Sequence, residues 1–158
     1  MKNRRLQAAC FIDFFAPISR ILIASEGCSL PTRKGIKEMR MILAVEKEVK
    51  GNSYYIALKE AFPNLVATNT PQGAIDWVYR SFSEDVLLIL DEDFFRQAKR
   101  SNPLFEETLR GLARNNQIEL RIILFHQEGK YVVAYNMERT TLSTTQSIVD
   151  CLRDFGVF

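Results

Sequence analysis

Three acidic positions carry most of the chemistry open to this sequence. Glu46 and Glu48 follow the apolar run Met41-Ile42-Leu43-Ala44-Val45, and Asp91 closes a second run, Val86-Leu87-Leu88-Ile89-Leu90. Asp91 lies 45 residues after Glu46 and 43 after Glu48. If both runs are neighbouring parallel strands, their carboxylates converge at the C-terminal edge of a sheet, where open α/β folds bind ligands. Carboxylates gathered there could hold a hard cation such as Mg²⁺, so Glu46, Glu48 and Asp91 are the candidate metal ligands. A second account needs no ligand. Asp91-Glu92-Asp93 could cap the helix that follows the strand, where anionic groups suit unpaired N–H groups. Glu46 and Glu48 would then be solvated loop residues.

Other candidates narrow quickly. His126 ends a later strand on the same expected edge, but no serine in a tight elbow accompanies it, so it reads as a satisfied edge histidine. Lys50-Gly51-Asn52-Ser53 lacks the preceding glycine of a phosphate loop and carries its lysine on the wrong side, and no GxGxxG is present. ATP hydrolysis and dinucleotide binding are therefore not expected. Cys10, Cys28 and Cys151 are odd in number and widely spaced, without a CxxC or Cys/His cluster. That argues against structural zinc and for free thiols in a reducing cytoplasm. Arg96, Lys99 and Arg100 read as a solvated helix face, and Phe94, Phe95 and Phe105 as packing residues.

Elements that could position these groups alternate regularly. Unbroken apolar runs such as Val86–Leu90 mark strands buried on both faces. Further strands are expected at Leu65–Thr68, Ile118–Phe125 and Tyr131–Tyr135. Helices are expected at Tyr54–Phe62 with Asn52 or Ser53 as cap, after Thr70-Pro71 with threonine as cap and proline in the first turn, after Asp91, at about Leu104–Asn115, and from Thr144 or Thr145 to about Phe155. Gln127-Glu128-Gly129-Lys130 leaves no room for a crossover, so the fifth strand should turn back antiparallel at the sheet edge. The expected fold is a three-layer αβα sandwich around a mainly parallel five-stranded sheet with an antiparallel edge hairpin.

This layout resembles the receiver domain of response regulators, and with it the flavodoxin-like arrangement, over about residues 41–158. Ile42-Leu43-Ala44-Val45-Glu46-Lys47-Glu48 is similar to the family's first strand and acidic pair, and Leu87-Leu88-Ile89-Leu90-Asp91 to the strand that ends in the phosphoacceptor. The resemblance implies Asp91 at the phosphoacceptor position and Glu46 or Glu48 among magnesium-binding acids. The chain departs from the family in several places. Lys47 separates two glutamates where receivers have adjacent aspartates. Phe125-His126 and Tyr135-Asn136-Met137 stand where receivers place a Ser/Thr and a Lys, and the helix between strands four and five is missing. The resemblance is to a pseudo-receiver with an incomplete phosphotransfer apparatus.

Residues 1–38 carry seven basic and three acidic side chains, leaving 14 basic and 16 acidic for residues 39–158. The expected domain, 39–158, is thus mildly acidic, which argues against a nucleic-acid surface. Residues 1–38 read as a basic leader and linker, possessing an apolar stretch that Asp13, Pro17 and Arg20 interrupt too often for a membrane span. The function expected is a non-enzymatic, cytoplasmic regulatory or assembly module with a protein partner or a second copy of itself. Its contact surface is expected along Tyr131, Tyr135, Phe155 and Phe158. No cofactor is called for beyond, at most, Mg²⁺. The alternative is a metal-dependent phosphoryl-transfer or hydrolytic enzyme built on the acidic cluster.

Overall fold

Val86 to Leu90 form the middle of strand β3 (Asp85–Asp91), and none of these five side chains is exposed. Strand geometry sends alternate residues to opposite faces. Val86, Leu88 and Leu90 enter one hydrophobic cluster, while Leu87 and Ile89 enter another. A strand with a core on each side has no polar face, which is why its sequence is continuously apolar. A computed structural model describes residues 39–158 of the chain; the expected leader, with Cys10 and Cys28, lies outside the described residues.

The described residues form an α/β fold with a six-stranded mixed sheet and five helices. The remaining strands are β1 (Met39–Ala44), β2 (Val66–Thr68), β4 (Leu120–Glu128), β5 (Tyr131–Asn136) and β6 (Thr141–Thr145). Their order is β2-β1-β3-β4-β5-β6. β1 pairs parallel with β2 and β3, and β3 parallel with β4. β5 and β6 each run antiparallel to the strand before. The helices are α1 (Ser53–Ala61), α2 (Pro71–Tyr79), α3 (Glu92–Ser101), α4 (Phe105–Asn115) and α5 (Ile148–Asp154). α2, α3 and α4 contribute to the Leu88 cluster, and α1 and α5 to the Leu87 cluster.

Three expectations are corrected. Among the described residues the sheet has six strands, so β5 lies inside it and β6 occupies the edge. The last helix begins at Ile148, not at Thr144 or Thr145, because both threonines belong to β6. Ser147 caps α5 instead, accepting the Asp150 N–H at 3.1 Å. The fourth strand also runs on through Gln127 and Glu128, which leaves Gly129-Lys130 as the turn into β5. Asn52 caps α1 through the N–H groups of Tyr54 and Tyr55. Thr70 caps α2 by accepting the Gly73 N–H at 3.0 Å, with Pro71 in the first turn. Gly73 is required here, since a Cβ would run into the Thr68 side chain.

Asn116, just past α4, closes the far end of α2. Its side-chain amide donates to the carbonyls of Val78, Tyr79 and Ser81 at 3.2, 3.0 and 3.0 Å. These carbonyls lie at and just past the C-terminus of α2, where the helical ladder runs out, although the Val78 carbonyl also accepts the Ser81 N–H at 3.1 Å. Asn116→Ala is expected to destabilise the protein by about 1–3 kcal/mol, read as a lower urea midpoint with an unchanged slope.

Candidate functional site

β1 and β3 lie side by side and parallel, with Ala44 opposite Leu90. Asp91 and the Glu46 loop therefore leave the sheet at the same edge. Asp91 ends β3 and caps α3, its Oδ1 accepting the Asp93 N–H at 3.1 Å. Glu46 is half-buried, and its Oε2 accepts a hydrogen bond from Gln97 Nε2 on α3. Glu48 is exposed and makes no hydrogen bond or ion pair with the described residues. The charge of Glu46 acts on the Asp91 carboxyl, and Glu48 is not among the groups that do so. Among the described residues no group of three or more His, Cys, Asp or Glu side chains is placed to hold a metal ion.

The same edge also holds Tyr54 and Gln127, which no motif marked. Tyr54, in the first turn of α1, packs edge-on to Phe125 with ring centroids 4.7 Å apart. Its hydroxyl donates to Gln127 Oε1 at 2.6 Å. His126 Nδ1 stands 3.1 Å from Glu92 Oε1. Arg96 Nη1 lies 2.6 Å from Asp93 Oδ1, which places it on a solvated helix face along with Lys99 and Arg100. Phe94 and Phe105 are buried and Phe95 is partly so, as packing residues should be.

Burial raises the Asp91 carboxyl above its ordinary value, and the negative charges of Asp93, Glu46 and Glu92 push the same way. The Asp93 N–H opposes them. Tyr54 is raised too, first by burial and then by the Asp91 charge. The arrangement is a helix cap inside a ring of acids, with a phenol and an imidazole at its margin. Ionising Asp91 costs the folded chain more than the unfolded one. The penalty is complete above the raised value and disappears as pH falls through it. Asp91→Asn keeps the capping oxygen and removes the charge. The variant is expected to be more stable than the wild type at pH 7, with the advantage shrinking as pH drops into the ordinary carboxylate range. Denaturant titrations of both proteins over that range check the sign.

The expected contact residues are divided between faces. Tyr131 is 41% exposed with the Lys130 ammonium 5.7 Å from its ring. Tyr135 is half-buried on the sheet face turned away from α5, because Val132 and Ala134 take the α5 side. Phe155 packs against the α5-side cluster. Phe158 is 53% exposed, edge-on to Phe62 with Arg153 above it. Cys151 is buried and free. Among the described residues no helix is long and apolar enough to cross a membrane. Comparison with protein-family models, curated proteins and solved structures gave no match to this chain.

Proposed function

We propose that this chain is a non-enzymatic regulatory or assembly module that works by protein–protein contact, with a flavodoxin-like, pseudo-receiver arrangement around its parallel strands and a cytoplasmic setting. The observation that carries the reading is the open end of the sheet. There Val133 and Tyr135 are only half-buried and Leu142 is 68% exposed. An open edge presents hydrogen-bonding groups ready for another chain. The acidic edge supports the same reading from the other side. Asp91 is engaged as a helix cap, and β5 runs antiparallel to β4, so its last residues, Tyr135-Asn136, lie level with Leu90 and Ile89 inside the sheet and not past its acidic edge. A receiver's lysine would have to come from that strand end.

The rival reading, metal-dependent phosphoryl transfer, draws on the closeness of Glu46 and Asp91 and on the raised Asp91 carboxyl. Two measurements on the full chain separate them. Mg²⁺ titration is expected to leave the amide signals of residues 46–48 and 91–93 in place, and acetyl phosphate to leave the intact mass unchanged. Saturable metal shifts at those residues, or a phosphoryl adduct on Asp91, would overturn the proposal.

A further inference from the structure

Strand β6 reads Thr141-Leu142-Ser143-Thr144-Thr145 and is the last strand of the sheet. Natural edge strands are usually guarded by charge, proline or a bulge. β6 contains no charged residue and no proline, and its pairing with β5 continues residue for residue without a bulge.

The direction of each β6 backbone group follows from the ladder. The Met137 N–H donates to the Ile122 carbonyl at 3.0 Å, making these two a hydrogen-bonded pair. Such pairs alternate along an antiparallel ladder. Residues 131, 133 and 135 therefore bond to β4, and residues 132, 134 and 136 bond to β6. The partners of the latter are Thr145, Ser143 and Thr141. Leu142 and Thr144 are left with both N–H and C=O directed away from the sheet. Neither residue makes any hydrogen bond outside this ladder among the described residues.

We propose that β6 pairs antiparallel with β6 of a second copy about a two-fold axis at Ser143, so that each Leu142 lies opposite the other copy's Thr144. This rests on the contact-module reading and names its partner. The register is chosen by the free groups. Centred on Ser143, all outward N–H and C=O groups of residues 142 and 144 are used, giving four bonds. Moving the axis by one residue to 142 or to 144 leaves one of these residues in each copy without its counterpart. The side chains agree with that choice. Leu142 and Thr144 are exposed and share the face opposite α5, whereas Ser143 is buried on the α5 side. Across the seam the row Leu124, Tyr135, Leu142 continues into Thr144, Val133 and His126 of the second copy, by the register of each sheet. No charged side chain opposes another within the paired strands. Asp154, hydrogen-bonded to Ser143 at 2.7 Å, is the carboxylate near the axis in both copies. Salt screens that repulsion, so the pair is expected to tighten as ionic strength rises.

Sedimentation velocity on the full chain over a concentration series tests the proposal. The wild type is expected to shift from monomer to dimer. Thr144→Pro removes only an outward N–H, a substitution an edge strand tolerates. It deletes two of the four bonds and should weaken the dimer about 30-fold. Leu142→Lys, a charge on the unguarded edge, should also give monomer. Circular dichroism and thermal melts identify any variant that has failed to fold. Phe82→Ser, in the exposed Tyr79–Phe82 pair, should leave the dimer intact. A wild type that stays monomeric overturns the proposal, as does a dimer indifferent to Thr144→Pro and Leu142→Lys, or one dispersed by salt. These outcomes concern the pairing alone: a monomer inert to acetyl phosphate leaves the contact-module reading standing, whereas phosphorylation of Asp91 sinks that reading whatever the oligomeric state.

Discussion

Replacing Phe105 with alanine is expected to cost about 3–5 kcal/mol of stability, the range for removing a fully buried phenylalanine. Phe105 opens α4 and has no exposed surface. Phe94 and Phe95 of α3 flank it, each with a ring centroid 6.4 Å away. α4 lacks a side-chain hydrogen bond at its N-cap, where Leu104 stands. Its start is therefore fixed by how Phe105 packs, with the Phe105 N–H donating to the Asn102 carbonyl at 2.9 Å. Truncation opens a cavity at the joint between two helices, and a joint bounded by a turn cannot close fully over it. The melting temperature should fall by more than about 10 °C. Phe105→Leu, which keeps much of the volume, should recover most of that loss. Equal melting of Phe105→Ala and the wild type would show that α4 is seated by something other than this ring.

The parts of the fold that sequence reasoning anticipates are those where a single physical demand acts. β1 and β3 lie between two cores, and β3 is apolar at every position from Val86 to Leu90. Thr70-Pro71 and Asn52-Ser53 mark helix starts because unpaired N–H groups need those side chains there. β6 obeys no hydrophobic pattern that would mark it as a strand. Its inward positions hold Ser143 and Thr145, and its one large apolar residue, Leu142, faces outward. The run of threonines, well suited to a strand, was the available signal. The same threonines also suit a helix cap, and in that role they place the start of α5 about a turn too early. Without β6, the pattern leaves β5 at the edge.

The outline of the candidate site is legible in the sequence, and its side-chain detail is not. Parallel pairing of β1 with β3 does bring Glu46 and Asp91 to one edge. The choice between ligand set and helix cap turns on side-chain directions a few residues beyond the strand, and no spacing rule encodes those. Glu48 turns into solvent while Gln97, 51 residues from Glu46, takes up the Glu46 carboxylate. Tyr54 and Gln127 meet from elements 73 residues apart. Each is unremarkable in its own stretch of sequence. Only the packing of α1 over the end of β4 makes them neighbours.

That packing leads to the second large effect. Leu58 is the sole fully buried side chain of α1. It belongs to the cluster that also holds Leu65, Ile123, Phe125 and Leu152. The other attachments of α1 are only partly buried: the Tyr54 ring on Phe125, its hydroxyl on Gln127, the Tyr55 side chain against the same cluster, and the Lys59 ammonium donating to the Leu65 carbonyl at 2.9 Å. Leu58→Ala is expected to cost about 2–5 kcal/mol, and the loss should not be uniform. Elements holding few buried contacts open first, so hydrogen exchange should accelerate in α1 well before it does in β3. Because Tyr54 rides on α1, its ring should lose its fixed place beside Asp91, and the rise in the phenol pKa should shrink towards the ordinary value. Exchange mapped by mass spectrometry and a spectroscopic tyrosine titration read these two consequences separately. If α1 and β3 accelerated together, α1 would be part of the same cooperative unit as the central strand. The acidic edge would then have a fixed wall where a weakly held one is inferred from the contacts of Leu58.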